Sequence, residues 1–313
     1  ESVFIFFIFV IEMLIFIIAA VIVFSDSGVV FENGRTIKGK EVTPFREIPC
    51  NKDIFLFYYL AKKLGIIGDG ESRENLVSGF ILKWVRDGII TIREKESGAI
   101  VKKKNYDMYL DVDAKFENKQ ETALYKMFIL ASKEGVLQTK AFQKWCSKHY
   151  KKIDDWFTKV DNVTEDSMNK NGYAKTKTIY KRFLFWNIPH DRTVWTDKAY
   201  DQCLYVWGFN NFLEDEDNMK EKAAIEVKLW DEYLIFAAVV GIADRVEKQL
   251  KLAIPRYEET STYNNFPIYY YTHTFAHNSM SAASSAASAG QGGSSSFSGG
   301  GGGFSGGGGG GVR

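Results

Sequence analysis

His273 and His277 stand four residues apart, a spacing that on a helix would turn two imidazoles toward one metal ion. No HExxH glutamate accompanies them. The surrounding aromatic string, Tyr263–Phe275, is polar and broken by Pro267, so it reads as an extended segment and the histidine spacing as chance. Glu214–Asn218, EDEDN, is rich in carboxylates but lacks the glycine and the distal glutamate of a calcium loop. A solvated helix N-terminus explains it, because anions are favourable there. Asp154, Asp155 and Asp191 read as surface charges. The three cysteines, Cys50, Cys146 and Cys203, are far apart and odd in number, which disfavours a disulfide framework or a zinc site and suits a reducing compartment. No phosphate-binding glycine loop, nucleophile elbow or paired-carboxylate cleft is present in the sequence. The expectation is a chain that is not an enzyme, with no catalytic, cofactor-binding or metal-ligating residue to assign.

The elements that would carry such residues are unevenly composed. Of 313 residues 45% are hydrophobic, enough for a sizeable core, while 40 basic against 39 acidic residues leave no global field that demands nucleic acid. Val3–Phe24, VFIFFIFVIEMLIFIIAAVIVF, holds 22 residues with one charge. At 1.5 Å per residue a helix of that length crosses the roughly 30 Å hydrocarbon core. A transmembrane helix over 1–25 is therefore expected. Its one charge, Glu12, would lie near the midplane, where a carboxylate is tolerated in protonated form or meets another membrane helix. No Lys or Arg precedes the span, whereas Arg35, Lys38, Lys40 and Arg46 follow it, which places the C-terminal part in the cytoplasm. The chain begins without Met inside an apolar run and so reads as a fragment or a processed product.

Residues 26–45 form a polar connector. A winged-helix-like unit is expected over 46–113: Asn51 caps a helix from Asp53 to Leu64 ended by Gly65, and Leu76, Phe80 and Trp84 recur at helical spacing in a second helix that stops at Gly88. IITIREKESGAIVKKK then alternates and turns at Ser97–Gly98 as a hairpin. This shape invites a DNA reading, but the second helix sets Arg73, Lys83 and Arg86 against Glu71, Glu74 and Asp87. A recognition helix shows a clearer basic surplus, so DNA is disfavoured as a partner. The Lys102–Lys104 run reads as a solvated strand end.

A helical domain is expected over 114–257, with Leu124, Phe128, Leu130, Phe142, Trp145, Trp156 and Val160 facing inward and Gly172 ending its first part. Residues 173–197 read as irregular, with Pro189 as a breaker. The segment from Tyr200 to Pro255 is again helical, with Trp207, Phe212, Trp230 and Tyr233 in the core, and YLIFAAVVGIA, Tyr233–Ala243, is too short to span a bilayer. Residues 258–280 follow as the extended aromatic segment. Residues 281–313 form a disordered Ser/Ala/Gly-rich tail, since Gly and Ser bury little and lose much backbone entropy on ordering. Phe297 and Phe304 interrupt that tail as possible contacts. The fold class expected is mainly α with a small β-hairpin, behind a single transmembrane helix.

The N-terminal apolar span, REIPC entering the winged-helix-like unit, FLEDEDN followed by LWDEYLIFAAVVGIADRVEKQLK, and the Gly/Ser tail with Phe resemble the predicted membrane proteins called domain of unknown function 2207. The marks of the resemblance are Phe212, Leu213, Asp215, Trp230, Tyr233, Ala237, Gly241, Val246, Lys248 and the tail. It implies an extracytoplasmic domain ahead of the span and a pair of membrane helices before Phe212. This chain departs from the second feature, with only RFLFWNIPHDRTVWTDKAY there, too short and polar to span. The family brings no known reaction. The function expected is a membrane-anchored cytoplasmic protein-interaction or scaffold domain in the cell membrane, with the lipid bilayer and other proteins as partners and no cofactor. The alternative is a membrane-tethered winged-helix transcriptional regulator.

Overall fold

The computed structural model describes residues 29–68, 70–97, 103–183, 186–215, 227–253, 263 and 268–291. The expected span with Glu12, and the glycine-rich end with Phe297 and Phe304, lie outside the described residues. Among those that are described, no helix is long and apolar enough to cross a membrane.

Helix α1 (Ile54–Lys63) starts where the Asp53 carboxylate accepts from the amides of Phe55 at 2.9 Å and Leu56 at 3.2 Å. Asp53, rather than Asn51, is the cap; Asn51 sits in a preceding 3-10 turn with φ of 51°. The helix ends as expected at Gly65, whose φ of +70° lets the amides of Gly65 and Ile66 reach back to the carbonyls of Lys62 and Ala61. The same closure ends α2 (Ser72–Arg86) at Gly88.

Helix α2 is the centre of the molecule. Leu76, Phe80 and Trp84 are buried, as their spacing implies, but so are its other faces, including Asn75, Val77, Ser78, Ile81 and Leu82. It is followed by the antiparallel hairpin β1 (Ile90–Ser97) and β2 (Lys103–Leu110), in register from Ile90↔Leu110 to Ser97↔Lys103. The residues of the expected turn, 98–102, are outside the described set. A third strand, β3 (Val136–Gln138), joins β2 with Met108 opposite Leu137. This sheet is therefore built across the expected boundary at residue 113.

Helices α3 (Lys119–Ala131), α4 (Thr139–Lys148) and α5 (Tyr150–Lys170) bury Leu124, Phe128, Phe142, Trp156 and Val160 as expected. Leu130 does not join them and is 60% exposed. Residues 173–197 are not irregular. They form a second antiparallel pair, β4 (Ala174–Phe183) and β5 (Trp186–Trp195), which places Pro189 opposite Tyr180. A two-stranded pair consists of two edges, the place where proline is tolerated in a sheet.

Helix α6 (Asp197–Glu214), helix α7 (Val227–Val239) and helix α8 (Ala243–Ala253) complete the helical part that the sequence indicates. Phe212, Trp230 and Tyr233 are buried, and α7 is enclosed along nearly its whole length. The chain's last described element is α9 (Ile268–Gln291), 24 residues long. It overturns two expectations, since residues 268–280 are helical rather than extended and residues 281–291 continue the helix. Small side chains explain it: α9 lies along α4 and α2, with Ala276, Ser279 and Ala283 fully or nearly buried and the Phe275 ring 5.2 Å from that of Phe142. On the other flank of α2, Gly79 admits α7, where an added Cβ would stand 2.6 Å from Val239.

Candidate interaction surface

The connector is part of the folded body. Phe31 pairs with Trp195 as a parallel bridge, in which Glu32 donates its amide to the Trp195 carbonyl and Trp195 donates to that of Val30, both at 2.8 Å. Glu32 also pairs with Lys175, and Arg35 pairs with Asp197 at 2.7 Å while lying 4.0 Å over the Tyr200 ring. Residues 36–46 then cross α6 as a strap. Two glycines make the crossing possible. A methyl at Gly39 would overlap the Trp207 indole, and one at Gly208 would stand 2.8 Å from the Thr43 carbonyl oxygen and 2.9 Å from Phe45. Trp207, expected in the core, is half-buried and spends its inner face on the strap.

Hydrogen bonds complete the attachment. Asn211 donates its side-chain amide to the carbonyls of Gly39 and Val42 at 2.8 Å each, the Phe45 amide donates to Gly208, and the Tyr233 hydroxyl donates to the Arg46 carbonyl at 2.6 Å. Lys40 pairs with Glu214 at 2.8 Å. Burial alone would raise the Glu214 carboxyl, but the hydrogen bonds from Lys40 and Asn210 and the charges of Lys40 and Arg245 outweigh it and hold it below the usual carboxylate value. Between strap and helix remains an open groove of about 540 Å³. Ile37, Val42, Phe45, Leu204 and Tyr205 give it apolar walls, and the Lys38–Glu41 ion pair stands at its rim. Its size falls in the range of ligand and peptide clefts. Sequence reading missed it because a polar connector carries no periodicity; the signal was the pair of glycines, one on each side of the crossing.

The histidines are brought together, contrary to the extended reading. They lie one turn apart on α9 with rings 6.2 Å from centre to centre, and His277 Nδ1 stands 3.0 Å from Glu74 Oε1. Among the described residues no group of three or more His, Cys, Asp or Glu is placed to hold a metal ion. Asp154 pairs with Arg73 at 2.6 Å, and Asp191 accepts from the Thr178 hydroxyl at 2.7 Å. The cysteines are all buried as free thiols.

The cations of α2 are also paired with carboxylates. Besides Arg73, Lys83 pairs with Glu121 at 2.8 Å and Asp87 at 3.1 Å, and Arg86 pairs with Asp87 at 2.9 Å and Glu232 at 3.5 Å. Glu121 in turn accepts from the buried Trp84 indole at 2.9 Å.

Residues 182–250 match the family model of the predicted membrane protein (DUF2207) C-terminal domain. The matched stretch runs from the outer end of the β4–β5 pair through α6 and α7 to near the end of α8, and so includes the helix that the strap crosses. No curated protein and no solved structure gives a significant match to the chain. The resemblance read from Phe212, Trp230, Tyr233 and Gly241 is thereby shown for this segment, which is similar to a predicted membrane protein domain of unknown function.

Proposed function

We propose that residues 3–24 anchor this chain in a bilayer and that the helical domain behind them is a cytoplasmic interaction module whose partner-binding surface is the groove between the strap and α6. The observation that carries the reading is the strap. Residues 31–46 are fixed to α6 by two close glycine crossings and by Asn211, so the groove stands a fixed short distance along the chain from the apolar segment. Because residues 29–46 lie on the domain, only residues 25–28 separate the folded body from the apolar segment, which supports a reading in which the groove works near the bilayer. The apolar walls with one ion pair at the rim suit a protein segment offering a few hydrophobic side chains. No catalytic step is assigned to the module.

The regulator reading is weaker because of α2. In a winged helix that element would enter a DNA groove, yet here it is enclosed by α7 and α9 and its cations are paired with carboxylates. Photocrosslinking tests the groove. A photoreactive residue at Tyr205, which is 42% exposed, is expected to trap a protein of discrete mass in membranes, and Leu204→Asp is expected to abolish the adduct. Adducts no different from those formed at Leu252, 82% exposed on α8, would remove the groove from consideration.

A further inference from the structure

Two grounds speak against the histidine pair in the sequence, an extended segment and no accompanying glutamate, and the fold removes both. Residues 268–291 are helical, so His273 and His277 lie on one face of α9, one turn apart. The glutamate comes from another element: Glu74, in the first turn of α2, places Oε1 3.0 Å from His277 Nδ1. The Glu74 side chain is only 8% exposed, whereas that of His277 is 54% exposed. An ionised Glu74 accepts from Nδ1–H, which fixes the tautomer of His277 and leaves its Nε2 lone pair available. A carboxylate behind one ring nitrogen is the arrangement that orients a metal-ligating histidine and raises its basicity.

His273 is half-buried, and its ring nitrogens make no hydrogen bond to other described residues. Its ring lies 6.2 Å from that of His277, centre to centre, and within 13° of parallel. Two Zn–N bonds of about 2.0–2.1 Å cover about 4 Å of such a separation, and the rings themselves span the rest. Because no hydrogen bond holds the His273 ring, a turn about its χ2 brings a nitrogen round to an ion at His277. The surroundings favour a cation. One turn earlier the Tyr269 ring lies 5.5 Å from that of His273, and its hydroxyl is raised first by burial and then by the charges of Asp244 and Glu71. Glu71 has no ion pair among the described residues, and Asp244 meets Lys248 at 3.9 Å. Imidazoles suit the later first-row divalent ions, whereas magnesium and calcium take oxygen ligands.

We propose that His273 and His277 are a binding site for a divalent zinc-like ion: both imidazoles ligate it, Glu74 orients His277 from behind, and water fills the remaining positions. The site uses two protein ligands, not a group of three, which the described residues do not offer. The test is a titration of the full chain, held in detergent and stripped with chelator, with zinc chloride alone. One ion per chain is expected to bind and to raise the melting temperature, since the paired geometry exists only while α9 is helical. Magnesium chloride is expected to do neither. His273→Gln and His277→Gln are each expected to abolish binding in the same range, the second at an exposed position where the fold is retained. Glu74→Gln, which keeps an acceptor for Nδ1–H, is expected to weaken binding about tenfold, the lower end for a group that orients a ligand. Copper(II) on the unaltered chain gives a reading that needs no variant, a spin-resonance spectrum with two imidazole nitrogens. Zinc affinity unchanged in both histidine variants overturns the proposal and places the ion elsewhere on the chain. So does copper bound by fewer than two nitrogens, or a native chain that binds no zinc. A Glu74→Gln variant that binds zinc as the native chain does overturns the part given to Glu74.

Discussion

Gly208 has no conformational reason to be glycine, since it lies inside a helix, and its value is the space that it leaves. Gly208→Val puts a branched side chain where Thr43 O and Phe45 already stand, so the strap must lift. Overpacking of this kind costs about 1–3 kcal/mol. The expected result is faster proteolysis within residues 33–46 with the fold of α2 retained; an unchanged cleavage pattern would mean that the strap is not held by this contact. The buried thiols and phenols give a second residue-scale prediction. Burial pushes the Cys146 thiol up to about 12, drives Cys50 and Cys203 upward too, and takes the Tyr58 and Tyr271 hydroxyls to about 12. Unfolded thiols titrate near about 8.5 and phenols near about 10. Above these values the unfolded chain has lost protons that the folded chain keeps, so stability is fully present below them and falls as pH rises toward 12. A urea midpoint that declines from pH 8 to pH 10.5 is expected, with thiol alkylation at pH 8 limited by unfolding. Rapid alkylation of native protein would contradict the burial.

At the scale of elements, α9 carries the sharpest prediction. Ending the chain after Met280 removes Ala283 from the core and the stretch whose Gly290 lies against the Tyr150 hydroxyl. Each kcal/mol lost shifts the melting temperature of a domain this size by about 2–4 °C. A fall of several degrees is expected, whereas ending after Gln291 leaves every described contact in place and is expected to shift the melting temperature by no more than a degree or two. Equal melting of the two truncations would show that the helix does not support the fold. The same helix marks the limit of what sequence discloses. Glycine stops and recurring large apolar side chains made the helical stretches of α1 to α8 legible, although the cap of α1 is Asp53 and not the expected Asn51. The Ser/Ala half of α9 has no such face; it is held by close approach to α4 and α2, a tertiary property with no periodic trace. The β4–β5 pair was hidden differently. Lys and Thr alternate in β4, but both faces are polar, Pro189 reads as a stop, and no Asn-Gly or Asp-Gly marks a turn. The groove was hidden too, since its walls come from a connector and a helix about 170 residues apart, and only the glycines hint that two backbones meet.

For the whole molecule, the anchored reading predicts a topology. Reporters fused after Asp111 are expected to behave as cytoplasmic, and carbonate washing is expected to leave the protein in the membrane fraction. Activity of an export-dependent reporter at that fusion would reverse the orientation, and release by carbonate would remove the span. The bridge at Phe31 also decides how mechanical load would enter the domain. Because Val30–Glu32 runs parallel to β5, tension on the chain ahead of residue 29 acts along the strand axis. The two hydrogen bonds with Trp195 are then sheared together instead of being unzipped one after the other. Once they part, tension reaches the Arg35–Asp197 pair, then the Asn211 and Gly208 attachments on α6, and only after these the helices around α2. Under tension from that end the domain yields from its periphery inward, surrendering the strap and its groove while the core is still intact.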